Sequence, residues 1–317
     1  EQYREVWLRL NTVLPRCLWI MTINALLDIN GIAKNVTITQ ENVLVDPLQV
    51  LRCDIRVFRC GPILKIILRI LEASLAASRS QLSRHLQDKP LLEKSGQLTS
   101  DSEREELKNA LIAAQESAAL QILLEACLET TEDQSKPELM WSLREVRNII
   151  CSFLHQVFIS EPSLAKLVHF QGYPRELLPV TVQGIPSMHI CLDFIPELLA
   201  QASLEKQIFA VDLVSHLSIQ YALPKAMSIA RLCVNTLSTL LSVLPSDLRL
   251  ELFQPVLKSL VRICVAFPSL LEDITSLLLQ LGRICESQAS LGHCWNDTNT
   301  LGEGAYVPSD IQSDTKV

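Results

Sequence analysis

The chain has 317 residues, 48% of them hydrophobic and 20% charged, with a net charge of −7. That hydrophobicity excludes general disorder, and the acidic balance works against nucleic acid unless basic residues gather on one face. Leucine supplies 56 residues and glycine only 9, which favours helix over strand. The chain opens on Glu1 without an initiator Met, as expected for a segment of a longer polypeptide.

Tyr3–Asp28 reads as helix interrupted at Pro15 and closed by Asn30-Gly31. Val36–Thr39 is a short extended piece. Asp46-Pro47 supplies a cap and a first-turn proline for a helix to about Cys60. Gly61-Pro62 breaks and restarts it, and the next helix runs to about Gln87. Ser102-x-x-Glu105 has the spacing of a capping box for a helix to about Glu129. Thr130–Lys136 reads as a linker, and Pro137–Ile159 as helix. Gly172, Gly184 and four prolines between 174 and 196 predict short helices.

Regularity increases downstream. A helix spans roughly Ser203–Ala222, and Pro224 opens another to about Val243, striped by Ile229, Cys233, Leu237, Leu240 and Leu244. Leu248, Leu252, Val256, Leu260, Ile263 and Phe267 form the next stripe, with a kink or restart expected at Pro255. Leu271, Ile274, Leu278, Leu281 and Cys285 follow at steps of 3, 4, 3 and 4. Pro179, Pro224 and Pro268 recur at lags of 45 and 44 residues, the period of HEAT or armadillo hairpins. The expected fold is all-α: stacked helical hairpins forming an α-solenoid. It divides into a helical segment 1–87, a polar linker 88–101, a helical segment 102–196 ending in short helices, HEAT-like hairpins 197–288 and a disordered tail 289–317.

Chemistry-bearing motifs are scarce. No phosphate-binding glycine loop, zinc-protease helix or nucleophile elbow occurs. The ten cysteines contain no C-x-x-C pair and sit mostly among apolar neighbours, as buried thiols in a reducing compartment would. His189 with Cys191, and His293 with Cys294, are too few for a structural zinc site, which takes four ligands. No catalytic residue, metal or cofactor is therefore assigned. The charge-free stretch 232–246 has 15 residues and ends at Pro245-Ser246, and the stretch 177–192 has 16 but contains Pro179, Gly184, Pro186 and His189; both fall short of the roughly 20 apolar residues that cross a membrane.

Two surfaces stand out as candidates for partners. Arg52, Arg56 and Arg59 fall on one helical face, suited to phosphates or an acidic partner if it is not simply solvated. Aromatic residues make up 5% of the chain, too sparse for single-strand stacking platforms, so direct nucleic-acid binding is disfavoured. Opposite the Ile229–Leu244 stripe lie Ser228, Arg231, Asn235, Ser238 and Ser242, with no charge after Arg231. Solvent-facing helices usually carry Lys and Glu there. Three readings fit: an inner helix covered twice, hydroxyls bonded back to their own helix, or a face covered by another subunit.

The string HFQGYPRELLPVTVQGIPSMHICLDFIPELLAQ, starting at His169 and continuing to Asn235, resembles the C-terminal part of the Integrator complex subunit 2 family. DPLQVLRCDIRVFRCGPILKIILRILEASL, Asp46–Leu75, resembles the same family. The resemblance implies a large helical nuclear scaffold within the Integrator assembly. That assembly associates with RNA polymerase II and cleaves nascent transcripts, including small nuclear RNA 3′ ends. The resemblance places nuclease and phosphatase activity in other subunits. It implies binding to scaffold subunits, subunit 1 above all, with the polymerase contacted indirectly and no membrane or cofactor involved.

Overall fold

The computed structural model describes Leu48, Leu51 and residues 55–88 and 101–301. The expected elements over 3–39, the polar linker over 89–100 and the tail beyond Leu301 lie outside the described residues. Twelve α-helices and three short 3₁₀ turns make up the described chain, with no strand among the described residues. They are α1 (Ile55–Phe58), α2 (Gly61–Asp88), α3 (Asp101–Glu125), α4 (Thr131–Ser135), α5 (Pro137–Ser160) and α6 (Pro162–Gln171). Then come α7 (Leu178–Gly184), α8 (Ile195–Leu199), α9 (Leu204–Gln220), α10 (Pro224–Val243), α11 (Ser246–Ala266) and α12 (Leu271–Leu301).

Proline sets many of the starts. α5, α6, α7, α8 and α10 each carry one in their first two positions, where the missing amide costs no intrahelical bond. Upstream, α2 packs on α3 and α5, and α6 lies against both α3 and α5. Leu64, Leu71, Leu120, Leu123, Ile150 and Leu154 fill the space between them. Gly172 closes α6 with φ 82°, a left-handed position that glycine occupies without strain. Gly184 ends α7 against α5: a Cβ there would come within 2.6 Å of the Cys151 Sγ.

Downstream the hairpins stack in two layers. α9 packs most extensively along α11, its counterpart in the next hairpin, and closes its own hairpin against α10. α10 in turn meets α12. Like-on-like stacking of first and second helices is the arrangement expected of a helical-repeat array. α9 also receives α7 and α8, so ten of its residues between Gln207 and Ser218 are buried. Asp212 ties the stack: its Oδ1 accepts from Ser259 at 2.9 Å and Arg262 at 2.8 Å, both on α11.

Several expectations need correction. Leu51 is in a turn and α1 is a single helical turn, so one helix does not run from Pro47 to Cys60. α3 begins at Asp101, which places Ser102 inside the helix and not at its cap. The supposed linker Thr130–Lys136 contains α4, opened by a capping box between Thr130 and Asp133. Pro255 neither ends nor restarts α11. The bond it forfeits belongs to the Glu251 carbonyl, one turn back at an exposed position where water can serve. In α12 the buried side runs through Ile274 and Leu277, while Leu271 is 55% exposed. α12 also continues to Leu301, past the expected start of a tail at 289.

Candidate protein-binding surface

α10 is striped as its sequence demands. Ala226, Ile229, Ala230, Cys233, Val234, Leu237 and Leu241 are buried, so the L-x-x-L-L pattern over 237–241 is core. The helix has 20 residues and is apolar enough, by length and composition, to cross a membrane. The length objection drawn from the sequence therefore falls. What the structure shows instead is one side packed on α8, α9 and α12 and the other mostly polar, with Leu232 and Val243 also exposed.

The polar side faces away from the core. Ser228, Arg231, Asn235 and Ser242 are exposed, and Ser238 is half-buried at its edge. No described element covers it, which removes the doubly covered reading for α10; α9 is the helix enclosed on all sides. Each hydroxyl donates to the carbonyl one turn back. Ser228 reaches Pro224 O at 3.1 Å, Thr236 reaches Leu232 O at 2.9 Å and Ser238 reaches Val234 O at 3.0 Å. Thr239 reaches Asn235 O at 3.1 Å and Ser242 reaches Ser238 O at 3.3 Å. Back-bonding of this kind satisfies the hydroxyls within the helix. Desolvating the face then costs little at its hydroxyls, which already have partners, and no charge lies beyond Arg231.

Of the arginine stripe, Arg59 is drawn away from the surface. Arg59 sits in a turn between α1 and α2, and its side chain is only 11% exposed. Its Nη2 donates to Asp133 Oδ2 at 2.7 Å and Leu128 O at 3.2 Å, and Nη1 to Ala126 O at 3.4 Å. Arg147 Nε donates to Cys127 O at 2.9 Å. Two guanidiniums thus satisfy the orphan carbonyls past the end of α3. Asp133 completes the knot by accepting from the Thr130 amide and hydroxyl, each at 2.8 Å. The sequence signal for this was available in Thr130-x-x-Asp133, a short capping box that reads as loop if only apolar periodicity is followed. Arg52 lies outside the described residues, and Arg56 is in α1.

The most strongly perturbed histidine and cysteines are buried. His169 is enclosed by Phe158, Tyr173, Phe194 and Phe209. Its Nδ1 lies 2.7 Å from Ala165 O, so Nδ1 carries the proton and donates. Nε2 then accepts, with Cys191 Sγ at 3.5 Å and Tyr173 Oη at 3.3 Å. Burial drives the His169 pKa down to about 4, against the smaller opposing effect of the Ala165 bond. Burial also raises the Cys191 and Cys233 thiols, and lifts Cys151 to about 11 and Cys127 to about 12. None of these four is a thiolate nucleophile at neutral pH. Among the described residues, no three His, Cys, Asp or Glu side chains come together as metal ligands. His189 and Cys191 point to different neighbours: His189 stacks edge-on with Tyr221, and Cys191 turns to His169.

A stacked array of helical hairpins with an uncharged ridge on its outside defines a helical-repeat protein. A family model described as Integrator complex subunit 2 matches residues 1–290, and the chain belongs to that family. It is 50% identical over 328 residues to Integrator complex subunit 2 of Mus musculus, covering 92% of this chain and 27% of that relative. The Homo sapiens protein of the same name is 50% identical over 327 residues with the same coverage. The Drosophila melanogaster protein is 44% identical over 295 residues, covering 92% of this chain and 26% of the relative. The chain spans about a quarter of the length of the relatives it matches.

Proposed function

We propose that this chain is a non-catalytic scaffold segment of the Integrator complex, and that the outer face of α10 docks another Integrator subunit. Subunit 1 is the foremost candidate. In this reading the segment works in the nucleus and supports RNA polymerase II-associated cleavage of nascent RNA, including small nuclear RNA 3′ ends. It touches the polymerase only through other subunits and uses no cofactor.

One observation carries the reading: an exposed helix face whose hydroxyls are already satisfied and which carries no charge from Leu232 to Val243. Charge is what solvated helix faces normally use to stay wet. The test places Asn235→Lys with Ser242→Glu in the full-length subunit and measures co-purification of subunit 1. A loss of about tenfold or more is expected, because each new charge would be buried without a partner. Undiminished recovery would overturn the assignment of this face. Direct RNA binding through Arg52, Arg56 and Arg59 loses its third member to Asp133.

A further inference from the structure

No further inference is drawn: the strongest candidate, the line of exposed Leu250, Leu257, Val261 and Val265 on the outer side of α11, is an unpartnered apolar face, and nothing in the structure shows what covers it.

Discussion

Residues 101–200 and residues 204–287 use the same aliphatic code and hold together differently. Upstream, helices as short as five residues alternate with 3₁₀ turns, and polar side chains finish what the helices leave open. Arg59, Arg147 and Asp133 satisfy the end of α3 and the start of α4, while Gln121 donates to Val168 O at 3.2 Å to join α3 to α6. Downstream, helices of 17 to 21 residues stack by their stripes, and the chief polar tie is at Asp212. Short helices leave more unpaired backbone groups per residue, so the irregular part depends on side-chain partners that the regular part does not require.

Three measurements can break or sharpen that contrast. Phe253→Ala, in the regular part, removes the largest fully buried side chain and should cost about 4 kcal/mol, read as a shift in the urea midpoint. Arg59→Ala, in the irregular part, should cost about 3 kcal/mol, because it strands a buried carboxylate and two carbonyls. A cost below about 0.5 kcal/mol would show that this knot is decorative.

Acid should discriminate the two parts by a smaller margin. His169 is held at about 4 in the fold against about 6.5 unfolded, so the unfolded chain binds the proton first. Stability from this group is complete above about pH 6.5 and declines as the pH falls towards about 4, by about 2 kcal/mol at pH 5. His216 on α9 is lowered too, first by burial and then by Arg262, and adds in the same direction. In His169→Phe, stability at pH 5 relative to pH 7.5 should recover most of that loss in parallel urea titrations. An unchanged pH dependence would place the acid sensitivity elsewhere.

The sequence shows the fold wherever its period runs undisturbed. The Pro224 start of α10, the stripe from Leu252 to Phe267 and the hairpin period all agree with the structure. It misleads where a local device outweighs the period. Pro255 is absorbed because its missing bond falls at an exposed turn. Thr130–Lys136 becomes a helix because a capping box and Arg59 hold it. The α10 face is visible as a charge gap, since absence of Lys and Glu is written in the residues. The α11 line is masked because its aliphatics read as more core, and only the position of α9 shows which of two apolar sides is already taken. Arg59 could not be placed from spacing alone, because its acceptor is 74 residues away.

The enclosure of α9 bears on how such a chain can be divided or exchanged. Severing the chain between Gln220 and Pro224 and discarding the later half would strip α9 of α10 and α11, the two helices that close its hairpin and stack along it, and uncover part of its buried side. Neither half is then a self-sufficient cassette, so recombination or truncation here should yield insoluble fragments where a beaded repeat protein would yield shorter working ones.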